Sequence, residues 1–135
     1  MFDIRPVTPD FAVAPQLEPA DMATAAAHGF TLVINNRPEN EAPDQPSGAQ
    51  MAAAAEAAGL HYQAIPVRGG PTADQVAAMR QAIEDAHGPV LAFCRSGTRS
   101  IFTWSLGEAQ AGERTRAELI ALGQAAGYDL SPALA

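Results

Sequence analysis

The sequence predicts an α/β fold: one mostly parallel central sheet of about four or five strands, with helices on both faces. Two observations support this fold class. Short apolar runs alternate almost throughout with longer segments of helical periodicity, which is typical of parallel sheets. The 135 residues are 47% hydrophobic and 17% charged, a composition that suits a single hydrophobic core. We therefore expect one domain spanning residues 1–135.

Prolines, helix-capping residues and glycines mark the boundaries of the predicted elements. Prolines at positions 6, 9 and 15 favour an edge strand or hairpin at the start, because proline is confined to sheet edges. Capping boxes that begin at Ser47, Thr72 and Thr115 open helices, and glycines follow several helix ends. In order, we predict a hairpin or edge strand in 1–17, helix 19–28, strand 30–35, loop 36–46, helix 47–58, strand 60–67, helix 72–87, strand 89–94, a helix across 101–106 and helix 115–126.

The strand over 89–94 ends at the only cysteine of the chain, Cys94, and a polar loop with one glycine and two arginines follows it. Ligands bind beyond the carboxyl ends of the strands in such sheets. Backbone amides at a strand–loop–helix junction, together with a helix N-terminus, bind anions and stabilise a thiolate. Arg99 can hold an oxyanion with both arms of its guanidinium. We predict that Cys94 is the nucleophile and that Arg99 binds the substrate anion.

The rest of the loop is predicted to line the same anion site. Gly97 permits the unusual φ angles that a tight ring of inward-pointing amides requires. The hydroxyl of either Thr98 or Ser100 is a candidate for stabilising the thiolate. Arg68 follows strand 60–67 and should reach the same sheet edge. The predicted substrate-binding and anion-binding residues are Arg68, Arg95, Ser96, Gly97, Thr98 and Ser100.

Composition excludes several other classes of function. The net charge of −7 argues against a general nucleic-acid surface, and the absence of lysine excludes Schiff-base chemistry. No run approaches the roughly 20 apolar residues of a membrane helix, and the N-terminus lacks the features of a signal peptide, so we expect a cytoplasmic protein without membrane contact. The spacing of His28, His61 and His87 matches no zinc pattern, and we predict no metal or other cofactor.

The loop Cys94-Arg95-Ser96-Gly97-Thr98-Arg99-Ser100 resembles the active loop of single-domain rhodaneses, which are thiosulfate or persulfide sulfurtransferases. Segments 8–16, 29–38 and 62–67 instead resemble the tyrosine and dual-specificity phosphatases. Those enzymes have a Cys-x5-Arg loop, one residue longer, commonly preceded by histidine where this chain has Phe93. The combination is similar, over nearly the whole chain, to the bacterial beta-lactamase-hydrolase-like phosphatase domain family, which is often labelled a sulfur transferase. The resemblance implies a tyrosine-phosphatase-like fold.

Two chemistries follow from this resemblance. Phosphoryl transfer needs an acid to protonate the leaving group, and the phosphatase plan implies an aspartate near the turn after Val67. That turn, 68–71, contains no acid. Asp74, in the first turn of the next predicted helix, is the possible general acid, and Asp44 on the long loop is a second candidate. Sulfur transfer, from a small anionic donor such as thiosulfate or a persulfide, needs no acid in this scheme; with thiosulfate, the leaving group is sulfite, which is stable as an anion.

The sequence therefore favours a sulfurtransferase that carries sulfane sulfur as a Cys94 persulfide and passes it to an external thiol or another thiophilic acceptor. With a single cysteine, no resolving thiol is available within the chain. The alternative is a phosphatase that acts on phosphotyrosine or a small phosphate ester through a Cys94 phosphoenzyme. A further alternative is a non-catalytic sensor of anions or persulfides.

Overall fold

The computed structural model describes residues 2–134 and confirms the predicted α/β architecture. Its elements are β1 (Arg5–Thr8), β2 (Phe11–Ala14), α1 (Asp21–Ala27), β3 (Leu32–Asn35), α2 (Gly48–Ala57), β4 (His61–Ala64), α3 (Ala73–Asp85), β5 (Val90–Phe93), α4 (Thr98–Ala111) and α5 (Arg116–Ala126). The strands form one sheet in the order β1-β2-β5-β3-β4, in which β1 is antiparallel to β2 and the other pairs are parallel.

The N-terminal segment forms the hairpin that its prolines predict. β1, which contains Pro6, occupies the edge of the sheet, where a residue without an N–H group is tolerated. β2 lies between β1 and β5, and all four of its residues are buried. The hairpin therefore contributes one edge strand and one interior strand, which places β5 in the centre of the sheet.

Two apolar layers cover the two faces of the sheet, because successive residues of a strand point to opposite sides. On one face, α3, α4 and α5 bury Met79, Ile101 and Leu119. On the other, α1 and α2 bury Met22 and Met51. Trp104 of α4 packs in the first layer and stacks on Phe11, with the ring centroids 5.3 Å apart. No helix within residues 2–134 is both long and apolar enough to cross a membrane.

Two elements differ in length from the sequence prediction. β4 ends at Ala64, three residues before Val67, because Pro66 has no N–H to continue a regular ladder. The chain still runs beside β3, since the amide of Val67 donates to the carbonyl of Asn36 over 2.9 Å. α4 begins at Thr98 rather than at Ile101, so its first turn is part of the loop that follows Cys94.

All three predicted capping boxes are present, and each joins the side chain of the N-cap residue to a backbone amide three residues later. The pairs are Ser47 with Gln50, Thr72 with Gln75 and Thr115 with Glu118. α2 follows β3 and α3 follows β4, and both strands are parallel to β5. The capped N-termini of these two helices therefore lie at the carboxyl edge of the sheet, where β5 also ends.

Candidate active site

Cys94 follows β5 directly and lies at the middle of the carboxyl edge of the sheet, between the ends of β2 and β3. Its side chain is completely buried. The backbone N–H of Gly97 donates to Sγ, with 3.1 Å between nitrogen and sulfur. A backbone amide and the N-terminus of α4 both favour negative charge at this point. The arrangement suits a sulfur nucleophile that attacks an anionic substrate.

Gly97 is the N-cap of α4 and has the left-handed conformation, with φ of 90°. Non-glycine residues rarely adopt this conformation, because their Cβ meets the backbone. Space is also lacking, since a Cβ at this position would lie 3.0 Å from Cζ of Tyr128 and still closer to its hydroxyl. The sharp turn that brings the Gly97 amide onto the sulfur therefore requires glycine for two independent reasons.

The guanidinium of Arg99 is held in place by protein groups. Nη1 donates to Oε2 of Glu41 over 2.7 Å and to the carbonyl of Val67 over 2.9 Å, while Nη2 donates to Oε1 of Glu41 over 2.8 Å. These bonds use both protons of Nη1 and one of Nη2. Within residues 2–134, Nε–H and the second Nη2 proton form no hydrogen bond to an oxygen atom, and the guanidinium interacts with the sulfur of Cys94. Together Nε–H and this Nη2 proton form one edge of the guanidinium, which can bind two oxygens of an anion.

Glu41 joins a second arginine to this pair. Nε of Arg37 donates to Oε1 of Glu41 over 3.0 Å, and Nη1 donates to Gln16 over 2.9 Å. The hydrogen bond from Arg99, assisted by Arg37 and opposed by burial, lowers the pKa of Glu41 to about 2. The same hydrogen bond raises the pKa of Arg99; burial opposes this shift, and the charge of Cys94 supports it. Both groups are charged at neutral pH.

The hydroxyl of Ser100 connects α4 to the neighbouring strands. Its Oγ donates to Oδ1 of Asn36 over 2.7 Å, and Nδ2 of Asn36 donates to the carbonyl of Ile65 over 2.9 Å. Ser100 and Asn36 are fully buried. The hydroxyl of Thr98 instead accepts a hydrogen bond from Ser96 over 2.9 Å. The group that donates to Sγ from the backbone is thus the Gly97 amide, and the guanidinium of Arg99 also interacts with this sulfur.

Four of the predicted residues lie on the surface around this centre. The side chains of Arg68, Arg95, Asp74 and Asp44 are exposed and form no hydrogen bond within residues 2–134. Arg68 borders a cleft of about 580 Å³ at the carboxyl edge of β3 and β4. Asp74 lies in the first turn of α3, and the loop between β3 and α2 carries Asp44. The structure does not bring either aspartate into hydrogen-bond contact with the loop.

Sequence reasoning missed two residues that contact the site. Local spacing offers Glu41, beside Glu39, as a possible ion-pair partner of Arg37, and the structure contains the Arg37–Glu41 pair. Its contact with Arg99, 58 positions away, was missed. Tyr128 donates from its hydroxyl to the carbonyl of Ser96 over 2.8 Å, and no motif marks it. Nothing in local spacing reveals such long-range pairs. No group of three His, Cys, Asp or Glu residues within 2–134 lies close enough together to hold a metal ion.

Comparison with known sequences gives a consistent result. A family model described as "Beta-lactamase hydrolase-like protein, phosphatase-like domain" matches residues 3–111. A beta-lactamase hydrolase-like protein of Agrobacterium fabrum is 41% identical over 116 residues, which cover 84% of this chain and 27% of the relative. The chain thus spans about a quarter of the length of that relative.

Solved structures agree with the sequence comparison. A candidate phosphatase of Neisseria meningitidis has a TM-score of 0.85 and 34% identity, covering 96% of this chain and 92% of that one. Tk-PTP in its active form has a TM-score of 0.72 at 18% identity, covering 95% of this chain and 87% of that one. The second likeness concerns the fold alone and confirms that it is tyrosine-phosphatase-like.

Proposed function

The chain belongs to the family of phosphatase-like domains of beta-lactamase hydrolase-like proteins, and from this premise we propose that it is a cysteine-dependent phosphatase. One observation carries the proposal. The buried sulfur of Cys94 accepts a hydrogen bond from the Gly97 amide. Arg99, at the other end of the loop, has one edge of its guanidinium available to bind an anion. A tetrahedral phosphate held by this edge and by the loop amides presents its phosphorus to the sulfur.

The proposed reaction has two steps. The Cys94 thiolate attacks phosphorus, an S–P bond forms, and the P–O bond to the leaving group breaks, so that the oxygen leaves with the electron pair. Water then attacks phosphorus, the S–P bond breaks, inorganic phosphate leaves and the thiolate is restored. Arg99 and the loop amides stabilise the charge on the non-bridging oxygens in both steps.

Protonation of the leaving group restricts the substrates. Glu41 is a paired carboxylate with a pKa of about 2 and cannot donate a proton at neutral pH. Asp74 and Asp44 are exposed and lack contact with the loop. We therefore expect the enzyme to act on esters whose leaving group is stable as an anion, such as aryl phosphates, and to be slow on alkyl phosphates.

The cleft bordered by Arg68 is the proposed site for the organic part of the substrate. It lies over the carboxyl ends of β3 and β4, which are the first and second strands from β5 on that side of the sheet. With neighbouring strands about 5 Å apart, this places it roughly 5–10 Å from the end of β5. Pro38 and Pro66 give it apolar walls, while Arg68 supplies a positive charge and Glu39 a negative one.

Sulfur transfer is the second candidate, and the missing acid is the observation that favours it. The Cys94 thiolate would attack the outer sulfur of thiosulfate, forming an S–S bond while sulfite leaves with the electron pair of the broken S–S bond. An external thiolate or cyanide then attacks the outer sulfur of the persulfide and restores Cys94. Neither step needs a proton donor. The four-residue spacing from Cys94 to Arg99 also encloses less space than the longer phosphatase loop.

A paired assay distinguishes the candidates. We expect the protein to release phenolate from aryl phosphates, with the Cys94→Ser variant inactive. Thiocyanate formation from thiosulfate and cyanide, dependent on Cys94 and without aryl phosphatase activity, would overturn the phosphatase proposal in favour of sulfur transfer. Binding of phosphate without turnover of either substrate would contradict both and favour a sensor.

A further inference from the structure

The peptide group between Ser96 and Gly97 is hydrogen-bonded at both ends. Its oxygen accepts the hydroxyl of Tyr128 over 2.8 Å, and its N–H donates to the sulfur of Cys94 over 3.1 Å. Hydrogen bonds in such a chain polarise one another, by about 10–30% per bond. A peptide group that accepts a hydrogen bond at its oxygen therefore becomes a better hydrogen-bond donor at its nitrogen. The Tyr128 hydroxyl and the Cys94 sulfur are the two ends of one short hydrogen-bonded chain.

The fold holds Tyr128 firmly in this position. α5 ends at Ala126, and Gly127, its C-cap, turns the chain with a φ of 93°. The amide of Tyr128 then donates to the carbonyl of Gly123 over 2.8 Å. The guanidinium of Arg5, from β1, lies 5.2 Å from the centre of the tyrosine ring. Buried Leu130 packs so closely on Gly123 that a Cβ there would lie 2.7 Å from its Cγ. The backbone at Tyr128 is thus held by the end of α5, and the half-buried ring lies beside Arg5.

The contact with Gly97 makes the arrangement specific. The hydroxyl of Tyr128 lies so close to Gly97 that no side chain fits at that position. The tyrosine ring therefore packs against the turn that positions the Gly97 amide. Tyr128 lies outside the 3–111 segment that the family model matches, so that match assigns it no role. Its hydroxyl is a suitable donor at neutral pH, because burial raises the pKa of Tyr128 although the charge of Arg5 opposes the shift.

From this geometry we propose that Tyr128 is a positioning residue for the nucleophile: it orients and polarises the Ser96–Gly97 peptide and thereby stabilises the Cys94 thiolate. The proposal concerns the thiolate itself and goes beyond the proposed phosphatase function, because it holds whether phosphorus or sulfur is attacked. The charged groups that face the two ends are Arg99 at Cys94, and Arg5 and Asp3 at Tyr128. Removing the tyrosine hydroxyl retains all three charges, while Arg5 loses its interaction with that hydroxyl.

The test measures the rate at which iodoacetamide alkylates Cys94 as a function of pH, in the wild type and in the Tyr128→Phe variant. Phenylalanine keeps the ring and removes the hydroxyl that donates to the Ser96 carbonyl. We expect the profile of the variant to move to higher pH, the rate on its rising limb to fall about two- to threefold, and the high-pH plateau to stay unchanged. Tyr62→Phe, which removes the other tyrosine hydroxyl of the chain, is the matched control and should leave the profile in place.

A tyrosine that only packs against the loop would give overlapping profiles for Tyr128→Phe and wild type, and that result would overturn the proposal. Should Tyr128→Phe fail to fold, the wild type supplies a second readout. The ¹³Cζ resonance of Tyr128 should shift with the same pH midpoint as alkylation, whereas that of Tyr62 should not. A Tyr128 resonance that does not respond at that midpoint would likewise contradict the coupling. Neither measurement depends on turnover, so both stand even if the phosphatase assay fails.

Discussion

At the scale of single residues, one carboxylate positions the arginine of the proposed anion site. Glu41 accepts hydrogen bonds from Arg99 and from Arg37, whose side chain is only 5% exposed. An Arg–carboxylate pair with two parallel hydrogen bonds is geometrically specific, so Glu41 determines which edge of Arg99 faces the loop. Glu41 therefore acts by positioning Arg99, because a carboxylate with a pKa of about 2 is no proton donor at neutral pH.

Replacing Glu41 should therefore affect both activity and stability. We expect Glu41→Gln to lower kcat/KM for an aryl phosphate by about ten- to a hundredfold, because Arg99 loses its alignment. The same change should cost about 1–3 kcal/mol of unfolding free energy, since the buried guanidinium of Arg37 loses its counter-charge. Steady-state kinetics and urea unfolding measure the two effects. Glu56→Gln, at an exposed carboxylate on α2, is the control; equal activity in the two variants would refute the positioning role of Glu41.

The stability contributed by Glu41 should also depend on pH. Its pKa in the folded protein is lowered from 4.5 to about 2, chiefly by the hydrogen bond from Arg99. A group with a depressed folded-state pKa stabilises the fold fully above its unfolded value and loses that contribution as the pH falls through the folded value. The difference in unfolding free energy between wild type and Glu41→Gln should thus be constant above pH 4.5. It should then decrease as the pH falls from 4.5 to about 2. A difference that stays constant through this window would be inconsistent with the ion pair.

At the scale of the elements, the site depends on where α4 begins. The helix starts immediately after Gly97, so its first free amides and the positive end of its dipole lie within the loop that follows Cys94. Ser100, in that first turn, is tied to Asn36 of the segment after β3. β5, the loop and α4 therefore act as one rigid unit, anchored to the next strand through a buried hydrogen bond.

The two ends of α4 offer a matched pair of variants. Gly97 and Gly112 both have left-handed backbones, with φ of 90° and 71°, but a Cβ on Gly112 would meet nothing within 4 Å. We expect Gly112→Ala to cost about 1 kcal/mol of stability and leave Cys94 alkylation unchanged. Gly97→Ala should cost more, because the new methyl group displaces Tyr128, and it should slow alkylation at least tenfold. Similar alkylation rates in both variants would show that the turn at Gly97 is not what activates the sulfur.

At the scale of the whole molecule, charge is distributed unevenly. The chain carries a net charge of −7, with eight arginines and no lysine. Four of the eight lie in or beside the site: Arg37, Arg68, Arg95 and Arg99. We expect an acidic surface around a locally basic site to repel polyanions such as nucleic acids and still to admit a small anion at close range.

Anion binding at this site should stabilise the whole fold. A ligand that binds only the folded state adds about 2.7 kcal/mol at a concentration of a hundred times its Kd. We expect inorganic phosphate to raise the urea midpoint of the wild type and to have little effect on Arg99→Met. Sodium chloride at equal ionic strength is the control for general screening. Equal stabilisation of both proteins by phosphate would place the bound anion away from Arg99.

The sequence alone determined the α/β class, the order of elements, the three helix caps and the identity of Cys94 and Arg99 as the centre of the loop. These features depend on local spacing: apolar periodicity, capping residues, and a cysteine, a glycine and an arginine within six positions. Tertiary structure alone decided that Glu41 holds Arg99, that Ser100 bonds to Asn36 rather than to the sulfur, and that Tyr128 reaches the Ser96 carbonyl. These partners are separated by 32 to 64 positions, and they come into contact because the fold brings them to the carboxyl edge of the sheet. No local sequence pattern predicts such contacts.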